Sequence, residues 1–274
     1  MLARLMKYEI KATARWLLPL YGTILIFALI NRFTLFSPVM VFNSTYTEYS
    51  IPNQPVFSIV KGIASALFML IYVLLFVGVF VATLIITIQR YYKNLLGDEG
   101  YLMFTLPVKS WQHILNKLLV SLLWYLLSSV TAICSILILI PNKDWSQLSY
   151  VFRQLKMIYG TSGIIMLILL VILNLVLNIL MIYSAISLGH LFNKHKLLIS
   201  FGMYLGIEAV NQFIILFVML ITTKIAFGSL NDISFNYAGR FGTLFGILSV
   251  PTVLLSAGYF VLTSYLVNRK LNLE

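Results

Sequence analysis

Acidic residues are scarce in this chain of 274 residues. Asp and Glu together number eight, and charged residues of both signs make up only 10%. Soluble domains carry about a quarter charged residues. With 61% hydrophobic residues and a mean hydropathy of +0.97, the apolar surface exceeds what one water-facing core can bury. The expected solvent is therefore a lipid bilayer. Cysteine is nearly absent: Cys134 stands alone, which excludes an intramolecular disulfide and says nothing of redox compartment. Histidine is limited to His113, His190 and His195, with no HExxH and no Cys–His cluster, so no metal set is expected. The string GxxxxGK[ST] does not occur, and ATP binding through a P-loop in this chain is excluded. No Ser–His–carboxylate arrangement is recognisable, and no catalytic residue is assigned.

What is present is apolar length and positive charge. A span needs about 20 apolar residues to cross the hydrocarbon core. Six segments qualify, at 16–36, 63–88, 114–140, 164–188, 197–222 and 241–267. The expected fold class is an all-α integral membrane protein with six transmembrane helices forming one domain over 1–274. The formal net charge of +11 belongs to the topology of such a chain. Lys and Arg concentrate in cytoplasmic loops and meet anionic lipid headgroups, so no nucleic-acid partner is expected. Placing the N-terminus inside puts Arg4, Lys7, Lys11, Arg15, Arg90, Lys93, Lys109, Lys117, Lys194, Lys196, Arg269 and Lys270 on the cytoplasmic side. Fewer basic residues fall outside, and both termini are expected in the cytoplasm.

The first fifteen residues carry a second pattern. Arg4, Lys7, Lys11 and Arg15 are spaced by three and four, with Leu2, Leu5, Met6 and Trp16 largely opposite. That suits an amphipathic helix in the membrane interface over 1–15. A basic flank that merely orients the first span reads equally well. No small-residue cleavage site follows the first apolar run, so a removable signal peptide is not expected. Between the first two spans, Pro38, Pro52 and Pro55 point to irregular structure. Between the third and fourth, Trp145, Leu148, Phe152, Leu155 and Tyr159 recur at three and four. A short amphipathic helix on the outer surface is expected there.

The stretch "NLLGDEGYLMFTLPVKSW" at 94–111 is too charged to span a membrane and too apolar for an ordinary loop. Gly97 and Gly100 bracket Asp98 and Glu99, and acids at a helix start interact favourably with its dipole. A helix from about Asp98 to Thr105 would stop before Pro107, and Ser110 would cap the third span. The result is a short cytoplasmic helix exposing Tyr101, Leu102, Met103 and Phe104, which suits either a partner surface or the lipid headgroups.

In Asp98, Glu99, Gly100, Leu106, Pro107 and Lys117 this segment resembles the cytoplasmic turn in membrane subunits of type-two ABC exporters. The longer string "GDEGYLMFTLPV" is similar to small permeases of Gram-positive bacteria whose relatives handle lantibiotics, other bacteriocins and phenol-soluble modulins. The six-span layout, "SLGHLFNKHK" after the fourth span and the terminal "NRKLNLE" agree with it. The resemblance implies a coupling helix docking on a separate ATPase subunit through Asp98, Glu99, Gly100, Tyr101, Phe104 and Pro107. ATP and Mg would sit on that partner, and this chain would bind no cofactor. It further implies a homodimer or heterodimer of permeases in a bacterial cell membrane, with an amphipathic peptide as substrate.

Within the spans one carboxylate stands out. Glu208 shares a helical face with Tyr204, Asn211 and Gln212, and an ionisable group at such depth costs about 2.5–3.5 kcal/mol. Asn174 and Asn178 in the fourth span could supply hydrogen bonds. Gly202 and Gly206 lie roughly opposite at GxxxG spacing, as do Gly242 and Gly246 in the sixth span, so the glycine side is expected to pack tightly and the Glu208 side to face a polar cavity. Glu208 then reads as part of a transport pathway or as a protonated acid buried for structural reasons. A membrane-embedded enzyme or a proton-coupled carrier using Glu208 is the alternative function, although no internal repeat of the kind secondary transporters use is visible.

Overall fold

The backbone of these apolar segments has no water to bond, so each N–H and C=O must be satisfied within its own segment, and helix is the result. The computed structural model describes residues 2–35, 55–93, 110–141, 145–192, 195–227 and 237–269. They form six α-helices and, among the described residues, no strand: α1 (Leu2–Leu35), α2 (Pro55–Tyr91), α3 (Ser110–Leu139), α4 (Trp145–Gly189), α5 (Lys196–Phe227) and α6 (Tyr237–Arg269). Each contains a stretch long and apolar enough to cross a membrane. The shortest, α3, has 30 residues, about 45 Å at 1.5 Å per residue, against a hydrocarbon core of about 30 Å.

One expected boundary looks different in the structure. The basic stretch at 1–15 is helical, but no break separates it from the first span; α1 is one helix with Pro19 inside it. The reason is a single buried stripe. Glu9, Thr13, Leu17, Tyr21, Ile24, Ala28 and Asn31 are all buried, three or four residues apart, so one face runs the helix's length. Lys7, Lys11 and Arg15 are exposed beside it, as is Trp16, and Arg4 lies in the same helix. The amphipathic segment expected before the fourth span is indeed helical and is set off from the span by a kink. The two helical parts of α4 meet at Gly160, with φ 67° and ψ 171°. That φ lies in the left-handed region, which glycine enters without the steric cost a Cβ brings.

Ser110, expected as a cap, stands at the start of α3. Its hydroxyl donates to Asn268 Oδ1 of α6 at 3.2 Å.

The chain divides into two compact units. One comprises Glu9–Ile85 and Trp124–Leu148. Its helices are tied by hydroxyl groups. Tyr21 Oη and Ser128 Oγ lie 2.7 Å apart, Ser128 Oγ and Thr83 Oγ1 2.8 Å, and Tyr72 Oη and Ser135 Oγ 3.0 Å. Asn31 Nδ2 donates to Phe27 O and Phe68 O, and Arg32 Nη1 donates to Ile138 O at 3.0 Å. Between apolar helices in lipid there is no hydrophobic drive to associate, so close packing and such cross-helix bonds supply the cohesion.

The other unit comprises Met1–Tyr8, Ile86–Leu123 and Ser149–Glu274. Its most enclosed element is the last part of α4, where every residue from Ile179 to Ser187 is buried. Tyr91 and Tyr183 stack at 4.1 Å with a 9° interplanar angle. Tyr91 Oη is 2.7 Å from Ser187 Oγ, and Ser121 Oγ is 2.9 Å from Tyr183 Oη. Near the Gly160 joint, Tyr159 meets Phe241 edge-on at 5.0 Å.

Candidate functional site

The fifth helix turns most of its surface away from the protein. Of the residues buried in it, the described ones are Ser200, Asn211 and Thr222. These are eleven residues apart, close to three helical turns, so they fall on one line. Tyr204 and Glu208 occupy the same side and are half-buried, and α5 packs along α6. On α6, Thr252, Ser256 and Thr263 are buried, with Tyr259 half-buried on that face. Along the seam between these helices Glu208 of α5 and Tyr259 of α6 are polar groups brought near each other, while Ser200 packs on Gly189 of α4.

Glu208 sits in the middle of this seam. Its Oε1 accepts a hydrogen bond from Gln212 Nε2 at 3.0 Å, one turn along the same helix. Its Oε2 is buried and has no hydrogen-bond partner among the described residues, and the same holds for Asn211 Oδ1. The phenols of Tyr204 and Tyr259 lie close enough to feel the carboxylate's charge. Sequence spacing put Tyr204, Asn211 and Gln212 with Glu208. Tyr259 comes from a different helix and could not be found that way.

The expected sidedness is reversed. Among the described residues, added methyl groups at Gly202 and Gly206 would meet nothing within 4 Å, and the same is true at Gly246. The glycine side of α5 is therefore open, and the side bearing Glu208 faces protein, because polar groups at membrane depth gain from partners that lipid cannot offer. Gly242 does approach a neighbour: a Cβ added there would stand 3.4 Å from Ser162 Oγ. Asn174 and Asn178 are not drawn into the site: their Nδ2 groups donate to Leu170 O and Asn174 O, one turn back along α4.

The segment expected to dock a partner, with Asp98, Glu99, Gly100, Tyr101, Phe104 and Pro107, lies outside the described residues. Its flanks are described. On one side α2 ends at Tyr91, in the stack with Tyr183. On the other, α3 begins with a turn whose His113, Asn116 and Lys117 are all buried. The burial of Lys117 gives no sign of itself in the sequence, because a lysine at a span's end normally reaches back to the headgroups.

Where α4 hands over to α5, the chain is held tightly. A Cβ on Gly189 would lie 2.7 Å from Ser200 Cα, so only glycine permits this approach of the two helices. His190 follows directly, its ring 5.0 Å from that of Tyr92 and its Nε2 buried without a partner among the described residues. Burial, and secondarily the positive charge of Lys196, push His190 below its ordinary value of 6.5. Among the described residues no group of three or more His, Cys, Asp or Glu side chains is arranged to hold a metal ion.

Comparison with protein-family models, with curated proteins and with solved structures finds no match. Functional inference rests on the residues themselves.

Proposed function

We propose that this chain is the membrane subunit of an ABC exporter, a multi-pass protein of a Gram-positive bacterial cell membrane. In this reading it works as a dimer with itself or a similar chain, and a separate ATPase drives it to expel amphipathic peptides. The observation that carries the reading is the motif "GDEGYLMFTLPV", strung between two long apolar helices, α2 and α3. A short aromatic-bearing segment fixed at both ends by spans has the properties of a lever, and aromatic residues are favoured at the energetic centre of interfaces. The lack of a P-loop in the sequence fits a subunit whose energy arrives from another polypeptide. Glu208 and its neighbours would then belong to the path the cargo follows between α5 and α6.

The test is copurification. Expressed with its ATPase, the chain should retain that subunit through mild detergent extraction. Replacing both Tyr101 and Phe104 with Ala should release the ATPase while the spans remain inserted. Undiminished ATPase binding by the double variant would remove the coupling role from this segment.

A further inference from the structure

We propose that Glu208 holds a proton in the closed seam between α5 and α6, donates it in a hydrogen bond to Asn211 Oδ1, and gives it up when the seam parts. The inference starts from an imbalance. Glu208 Oε2 and Asn211 Oδ1 are two oxygen acceptors three residues apart on one helical face, both buried and both without a hydrogen-bond partner among the described residues. Asn211 is only 4% exposed. Buried acceptors are nearly always satisfied, and each one left bare carries a desolvation cost. Two acceptors side by side call for one donor between them. The other carboxyl oxygen, Oε1, already takes the amide donor of Gln212 at 3.0 Å. The titratable groups within the carboxylate's electrostatic reach, among the described residues, are the phenols of Tyr204 on α5 and Tyr259 on α6. Neither is a cation.

A carboxylic acid supplies the missing donor from within the pair. Once protonated it has one O–H to give and keeps acceptor capacity on its other oxygen. Oε2–H then donates to Asn211 Oδ1 while Oε1 goes on accepting from Gln212, so a single proton satisfies both oxygens and removes the charge. An Asn211 amide turned end for end would offer Nδ2 to Oε2, but it would leave a full negative charge at membrane depth with no counter-ion, where it is costly. Hard metal ions want six or more oxygen ligands, and among the described residues no group of ligating side chains stands here. The site is closed by the packing of α5 along α6, and that makes the proton conditional. A glutamic acid in water ionises around a pKa of about 4.3, so at neutral pH the proton leaves once parting helices wet the carboxyl group. Proton uptake and seam closure therefore favour each other. In an exporter whose α5 and α6 part during its cycle, one proton would be released in the open state and regained on closing. That last step rests on the export reading; the proton in the closed seam does not.

The experiment uses the full-length chain, purified in nanodiscs at neutral pH and read by infrared spectroscopy. The wild-type chain should show the C=O band of a protonated carboxylic acid, and Glu208→Gln should remove it. Glu9 is the other buried carboxyl residue, and Glu9→Gln should leave the Glu208 band in place. Asn211→Leu takes away the acceptor and should move the band to higher frequency, a change that a purely packing role for Asn211 would not produce. The second readout is reversible unfolding, which parts the helices. If the folded chain holds one proton that the unfolded chain releases, stability must fall as pH rises. The unfolding constant of the wild-type chain should then rise about tenfold per pH unit more steeply than that of Glu208→Gln near neutral pH. Absence of any acid band from the wild-type chain would mean an ionised Glu208 and overturn the proposal without reference to any variant's folding. An acid band that survives in a folded Glu208→Gln chain would assign it elsewhere and overturn it too. Equal pH slopes in the two chains would show that the proton stays on when the helices part, and would remove the release step. None of these readings involves an ATPase, so they stand whether or not the Tyr101 and Phe104 variant loses its partner.

Discussion

The Ser128 hydroxyl lies within hydrogen-bond distance of two others, Tyr21 Oη and Thr83 Oγ1. Because Thr83 Oγ1 also bonds Val79 O on its own helix, deleting one hydroxyl leaves the others partly satisfied. Tyr21→Phe is therefore expected to cost only about 0.6 kcal/mol, rising at most to about 1.7. A double-mutant cycle with Ser128→Ala, read by reversible unfolding in bicelles, checks this, and a coupling near zero would show the bond contributes nothing. His190 gives a pH-dependent case. Its folded form takes up a proton less readily than the ordinary value of 6.5, through burial first and Lys196 second. Above that value both folded and unfolded chains hold it neutral. As pH falls below it, the unfolded chain binds the proton first, and stability declines until pH passes the lowered folded value. The melting temperature should drop between pH 7 and 5, and His190→Gln should flatten part of that drop. None of this was visible in the sequence, where Ser, Thr and His scattered through apolar runs have no period to betray which of them meet.

At the scale of the helix, glycines divide into those that matter and those that do not. Gly189 allows α4 and α5 to touch, with the obstruction coming from Ser200 backbone, which cannot rotate aside. Gly189→Ala should destabilise by about 1–3 kcal/mol, the usual range for overpacking. Gly202→Ala fills open space and should be neutral or slightly stabilising, since alanine is the better helix former. Thermal unfolding of both variants in one detergent tests the contrast. The sequence singled out Gly202 and Gly206 by their spacing and passed over Gly189, because a spacing rule sees one helix whereas a close approach belongs to two. The helices themselves were legible: six apolar runs in a chain with 10% charged residues leave little else to form. The joint at Gly160 was half legible. The three-and-four recurrence from Trp145 to Tyr159 announced a helix, but only the backbone angles reveal that it meets the span beyond at a kink on Gly160.

For the molecule as a whole, the proposed topology makes a prediction that needs no knowledge of substrate. With Cys134 replaced by Ser, single cysteines can be placed at Tyr8, Lys93 and Phe152, all exposed. A membrane-impermeant maleimide should label Phe152→Cys in intact cells, and Tyr8→Cys and Lys93→Cys only after lysis. The reverse pattern would invert the protein and put the Asp98–Pro107 segment out of an ATPase's reach. The polar seam of α5 has a mechanical side as well. Ser200, Asn211 and Thr222 mark contacts at three heights, about 16 Å apart by the rise of the helix, along a line that barely winds. A stroke that parts α5 from its neighbours along this line uncovers a polar group at each of the three heights, Asn211 beside Glu208 among them.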